Sequence, residues 1–171
     1  EYDYSSRNAK KDYDEKTINK AIKWINSTKE PFFLYINLQA THYPYMYPEN
    51  NSVFKPDNVS SSTKYFNILE EDYNKSVNRY DNSLFYVDKQ VGRLLNFLKN
   101  EKYYNKSIII LTSDHGETLE KKHGFLRHGF GVYREEILVP FIIHIPKQRH
   151  RVINTNVRHL DVLPTILDIL N

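Results

Sequence analysis

The chain has 171 residues, a formal charge of +3 with acids and bases interspersed, and no cysteine. That length suits one domain with a core of its own, the mixed charge leaves no basic stripe for nucleic acid, and the lack of thiols excludes disulfides, thiolate metal sites and a cysteine nucleophile within these residues. No apolar run approaches the about 20 residues that span a bilayer, and no signal-peptide pattern opens the chain, so any export signal is expected outside these residues.

Residues 1–14 are charged and tyrosine-rich without periodicity and read as an irregular lead-in. Ile18, Ala21, Ile22 and Ile25 then fall at helical spacing behind Asp14 and Glu15, acids that suit the first turn of a helix. After Pro31, the run Phe32-Phe33-Leu34-Tyr35-Ile36-Asn37-Leu38 is apolar at nearly every position, the pattern of a strand covered on both faces in a parallel sheet, and it ends in Thr41-His42. Tyr43 to Ser62 carries prolines, asparagines and serines and is a loop longer than connection requires, of the kind that shapes binding sites.

Tyr73, Val77, Tyr80, Leu84, Val87, Val91, Leu94 and Leu98 step by three and four and predict one long helix with a core-facing stripe. A second buried strand, Ile108 to Leu111, runs into Thr112-Ser113-Asp114-His115-Gly116-Glu117, and a third, Ile137 to Ile145, follows a loop rich in glycine and histidine. The basic run from Lys147 to Arg151 reads as a solvated turn. A closing helix is expected with Asp161 as its cap, Pro164 in its first turn, and Leu163, Ile166, Leu167 and Leu170 facing inward. This order of elements means α/β layers in one domain over residues 15–171.

The chemistry gathers at strand ends. If the strands ending in Thr41-His42 and in Ser113-Asp114-His115 are parallel neighbours, their polar clusters share one rim of the sheet, where open α/β sheets bind ligands. A carboxylate and a neutral imidazole, Asp114 and His115, suit Ca²⁺, Zn²⁺ or Mn²⁺, and Gly116 leaves room for a substrate beside them. Two ligands are too few, since zinc takes about four and calcium six or more. His42, between a buried strand and the long loop, is placed to donate to an anionic oxygen or to protonate a leaving group. His128 and His123 can be brought back over the same rim by the glycines beside them, whereas His144, alternating with Ile143 and Ile145 on a strand, reads as packed or exposed, and His150 and His159 have no clustered partners.

Several segments together resemble the sulfatase family of the alkaline phosphatase superfamily: Pro31 to Tyr35 through Ala40-Thr41-His42-Tyr43-Pro44-Tyr45, Tyr80-Asp81-Asn82-Ser83 through Val87-Asp88, Ser113-Asp114-His115-Gly116-Glu117, His123-Gly124, His128-Gly129, Tyr133 with Glu135-Glu136 before Val139-Pro140, and Asp161-Val162-Leu163-Pro164-Thr165. The resemblance implies part of an alkaline-phosphatase-like mixed, mainly parallel sheet flanked by helices. It also implies metal-assisted attack on a sulfate or phosphate ester, with Asp114 and His115 as metal ligands and His42 and His128 contacting the transferred group. An extracytoplasmic location, periplasmic or membrane-anchored, goes with it.

The family's upstream acidic ligands and its Cys, Ser or Thr nucleophile have no counterpart here, since Ser5-Ser6-Arg7 lacks the accompanying proline. The expectation is therefore an incomplete catalytic domain, the carboxyl-terminal half, inactive alone and partnered by the upstream half of the same domain. Three functions stay open: a sulfatase-like ester hydrolase, a phosphoethanolamine- or phosphoglycerol-type transferase acting on envelope components with a membrane tether in the parent protein, and a noncatalytic remnant that binds anions.

Overall fold

The computed structural model describes residues 13–29, 31–59 and 68–170. Helix α1 spans Tyr13–Ser27 and helix α2 spans Glu70–Asn100. A single turn, α3, covers Arg134–Ile137, and α4 covers Val162–Leu170. Two strands, β1 (Ile109–Thr112) and β2 (Phe141–His144), pair antiparallel with Ile109 opposite His144 and Thr112 opposite Phe141. The lead-in expected over residues 1–14 lies outside the described residues up to position 12. Asp14 belongs instead to α1, where it is 1% exposed.

The predicted apolar face of α1 is the buried one: Ile18, Ala21 and Ile25 are removed from solvent and pack toward α2. Polar contacts fix the angle between the two helices. The Tyr86 hydroxyl accepts the backbone N–H of Glu15 at 3.0 Å, and Arg93 donates to Asn19 Oδ1 at 2.6 Å. At the start of α1 the Asp14 carboxylate accepts the N–H groups of Gln39 and Ala40 at 2.8 and 2.9 Å. Burial raises the pKa of this carboxyl, and those two backbone bonds work in the opposite direction. The turn that carries His42 is thus held from behind by the first helix.

Helix α2 buries a more polar face than its apolar stripe predicts. Tyr73, Ser76, Asn82, Ser83, Tyr86, Gln90 and Leu98 are buried, while Leu84, expected in the core, is 42% exposed. The reason is the long loop, which lies along the helix and must satisfy its own backbone there. Asn82 does most of this. Its Oδ1 accepts the N–H groups of Val53 and Phe54 at 2.7 and 2.8 Å, and its Nδ2 donates to the Phe54 carbonyl at 2.9 Å and to Asp57 Oδ2 at 3.1 Å. Tyr47 donates to the same Asp57 oxygen at 2.6 Å, and Ser52 also bonds to it. Arg79 reaches the Pro44 carbonyl at 2.7 Å, next to the cis Tyr43–Pro44 bond.

The strands depart from expectation. Residues 31–39 show the alternating exposure of a strand, with Phe33 and Tyr35 at 81% and 73%, yet they join no ladder among the described residues. The pairing observed is antiparallel, so the parallel neighbours expected of the His42 and Asp114 segments do not form there. The third strand begins at Phe141, because Arg134–Ile137 is helical. Neither strand is fully buried: Leu111 and Ile142 are exposed, as are Leu163, Leu167 and Leu170 of α4, three of the four residues expected to face inward. Apolar runs betray a tendency to be covered, and nothing among the described residues covers these faces.

Replacing Asn82 with leucine should orphan two backbone N–H groups and a carbonyl. A loss of about 3 kcal/mol follows from unsatisfied buried groups, read as a lowered Tm of the full-length protein. Asp57 supplies a pH test. Burial works to raise its pKa, but bonds from Lys55, Ser52 and Tyr47 outweigh it and hold the carboxyl at about 2. Its contribution is therefore complete above the ordinary aspartate value of about 4 and is lost as pH falls toward 2. Pepsin cleavage within residues 43–59 should accelerate over that interval, and more so than in an Asp57→Asn variant.

Candidate active site

Strand β1 delivers its polar end into a tightly bonded turn. Ser113 Oγ donates to the His115 carbonyl at 2.6 Å, and the Ser113 carbonyl accepts from His159 Nε2 at 2.8 Å. His159 thus braces this turn, although its sequence surroundings give no sign of it. The Asp114 carboxylate accepts the His115 N–H at 3.0 Å, lies 3.8 Å from His115 Nε2, and its side chain is 87% exposed.

Glu136 closes the loop that follows. Buried at 7% exposure, it accepts the Thr118 hydroxyl at 2.7 Å on one carboxylate oxygen and the Gly129 N–H at 3.2 Å on the other, while its carbonyl accepts the Gly116 N–H at 2.8 Å. A bridge between Thr118 and Arg127, with Arg127 N–H on the Thr118 carbonyl at 3.0 Å, brings the two arms of the loop together. Gly129 takes φ +92°, a conformation that side chains resist. The loop therefore returns His128 to the end of β1.

The convergence expected of the imidazoles is present. The His115 and His128 ring centroids are 3.8 Å apart, and His42 and His128 are 6.2 Å apart. Each ring places Nδ1 on an oxygen: His42 on the Tyr43 carbonyl at 2.7 Å, His115 on the Gly116 carbonyl at 2.8 Å, and His128 on Glu117 Oε1 at 2.7 Å. Carbonyls and carboxylates accept, so Nδ1 carries the proton in each ring and Nε2 is left to a ligand. Glu117, unassigned in the sequence, is the added member of the group. Its other oxygen accepts the Tyr45 hydroxyl at 2.8 Å. Burial and the Glu117 carboxylate raise the Tyr45 pKa far above its ordinary value, which keeps the phenol a donor.

His123 sits apart from these rings. It packs on Tyr133 at 4.0 Å and reaches Glu135 Oε1 at 3.4 Å, in a group with Glu120 that Lys122 already neutralises through ion pairs to both carboxylates. A backbone hydrogen bond and Lys122 hold the Glu135 carboxyl at about 2. The guanidinium of Arg127 lies over the Tyr43 ring, 3.0 Å from its centroid, beside the His42 turn.

Metal-binding capacity can be judged from the donors. Ligand atoms of His115, Glu117 and His128 lie within 4.8 Å of one another. Two imidazoles with carboxylates at hand fit zinc or manganese better than calcium, which prefers an all-oxygen shell. Three such groups are fewer than a closed site needs.

The family model described as sulfatase matches residues 1–171. The chain belongs to the sulfatase family. It is 26% identical over 87% of its length to an uncharacterized sulfatase of Escherichia coli, and 31% identical over 84% to a phosphoethanolamine transferase of Helicobacter pylori. It covers 34% and 29% of those proteins, so the chain spans about a third of the length of curated relatives it matches. A phosphonate monoester hydrolase of Agrobacterium radiobacter superposes with a TM-score of 0.67 at 21% identity, over 79% of this chain and 34% of that one. The fold is α/β and alkaline-phosphatase-like, and the sheet formed by the described residues is the antiparallel β1–β2 pair.

Gly116 offers a direct test of the loop closure. A Cβ there would run into the Glu135 carbonyl oxygen and force α3 away from the turn. Gly116→Ala should lower the Tm of the full-length protein by several degrees and move the His115 ring away from His128, read as a changed His115 ring resonance in NMR.

Proposed function

We propose that this chain is part of the catalytic domain of a metal-dependent hydrolase of sulfate or phosphate esters. The observation that carries this reading is the convergence of His42, His115 and His128 beside Asp114, with their Nε2 atoms left unspent. Once protonated at Nε2 as well, imidazoles so arranged can donate to the oxygens of a tetrahedral anion and offset the charge that grows on them as a bond to the leaving group breaks. In this scheme His42, beside the long loop, takes up a proton at Nε2 and gives it to the leaving oxygen, and His128, protonated at Nε2 likewise, holds the transferred group.

Asp114 and His115, with further ligands from elsewhere, are the residues that would hold the divalent cation, whether zinc, manganese or calcium. When bound, it would act as a Lewis acid on the ester and organise the nucleophile. The nucleophile and the remaining acidic ligands are assigned to the upstream half of the same domain, and the exposed faces of residues 31–39, the β pair and α4 are the surfaces on which that half would pack. The isolated chain is then inactive. An extracytoplasmic site of action belongs to the same reading. Among the described residues no helix is long and apolar enough to cross a membrane.

A second reading, transfer of a phosphoethanolamine- or phosphoglycerol-type group in the cell envelope, is favoured by the 31% identity to the Helicobacter phosphoethanolamine transferase and by the histidine-rich character of the site. The two readings separate on acceptor: water in the first, an alcohol or sugar in the second. In the full-length protein, Asp114→Asn and His115→Ala should each reduce turnover of aryl sulfate or phosphate diester at least about 100-fold, with loss of bound metal by elemental analysis. Full activity after chelation, or in the His115→Ala variant, would refute the metal-dependent scheme.

A further inference from the structure

Glu117 is tied into the site in a way that neither a metal ligand nor a surface acid requires. Its side chain is only 6% exposed, and both carboxylate oxygens already have donors: the Tyr45 hydroxyl at 2.8 Å and His128 Nδ1 at 2.7 Å. A cation at the same oxygens would have to share them with these two donors. Tyr45 is itself immobilised. It is 2% exposed, its backbone takes φ +57°, and its ring packs edge-on against Tyr43 at 5.6 Å and Tyr80 at 5.3 Å. The carboxylate is therefore aimed by a clamp built from the His42 loop and α2.

We propose that Glu117 is a positioning residue: braced by Tyr45, it fixes His128 as the Nδ1–H tautomer and orients the ring so that Nε2 faces the transferred group. This deepens the ester-transfer reading and rests on it. His42 and His115 are oriented by backbone carbonyls of adjacent residues, a local and neutral device. His128 alone of the three is oriented by a charged group, and one whose own partner comes from 72 positions away. Such charge-assisted bonds are shorter and stronger than neutral ones, and outer carboxylates of this kind fix both tautomer and ring plane. The arrangement makes His128 sensitive to the packing of the Tyr43–Tyr47 segment, because that segment supplies the brace.

The test uses the full-length protein stripped of metal, with the pH raised until His128 carries a single ring proton. Ring-nitrogen NMR, with His128 assigned from a His128→Gln spectrum, should show a protonated Nδ1 and a bare Nε2. A protonated Nε2 in the wild-type protein would overturn the proposal without recourse to any variant. In the double variant Glu117→Leu with Tyr45→Phe, which removes the acceptor and the hydroxyl that would otherwise be stranded, the proton should redistribute toward Nε2. Its kcat should fall roughly 10- to 100-fold with KM within about twofold. An unchanged tautomer or an unchanged kcat would equally overturn it. Because the tautomer needs no turnover to be read, an inactive wild-type protein with the expected Nδ1–H would remove the ester-transfer reading instead.

Discussion

The site depends on one buried carboxylate. Glu136 stands at the end of a single helical turn and accepts from the Thr118 hydroxyl and the Gly129 N–H, while its own carbonyl takes the Gly116 N–H. Two of those donors lie near the start of the loop that joins β1 to α3, and the third lies toward its end. A buried carboxylate without partners is costly, so the fold cannot relax the loop without leaving charge stranded. Gly129, the residue after His128, is one of the donors held there, which keeps the His128 imidazole at the end of β1.

Around that centre the molecule uses the same device repeatedly: a buried polar side chain on a helix bonding the backbone of a loop far away in sequence. Asp14 of α1 takes the N–H groups of Gln39 and Ala40, and Asn82 of α2 takes those of Val53 and Phe54. The first holds the His42 turn and the second holds the loop beyond it. Hydrophobic packing sets the helices against each other, and these polar contacts set where the functional loops lie on them. The division is physically reasonable, since apolar contacts are non-directional and hydrogen bonds are directional.

Much of this was legible in the chain. Periodicity located α1 and α2; His42 is legible as a polar residue terminating an apolar run, and His128, which meets it, as a loop histidine that the adjacent glycine can turn back. What failed to show is instructive. The apolar run from Phe32 to Leu38 and the leucines of α4 read as buried, yet periodicity reports which face seeks cover and says nothing of what supplies it. Leu84 reads as core because it is apolar and in phase, while the buried positions beside it are Ser83, bonded to the Tyr80 carbonyl of its own helix, and Asn82, whose partners lie about 30 residues upstream. A polar residue announces a hydrogen bond, but not with whom.

The same limit explains why Asp114 drew attention and Glu117 did not. Both stand in one short motif, and composition alone favours the Asp-His pair as the ligand-like element. In the folded chain Asp114 is open to solvent, where a carboxylate can still accept a cation or another chain segment, whereas Glu117 has already committed both oxygens to Tyr45 and His128. Exposure thus assigns different work to two acids three residues apart. The one left free is suited to recruit charge from outside, and the one enclosed is suited to fix a neighbour. A site assembled this way divides recruitment from alignment, and only the second task is completed by the residues described here.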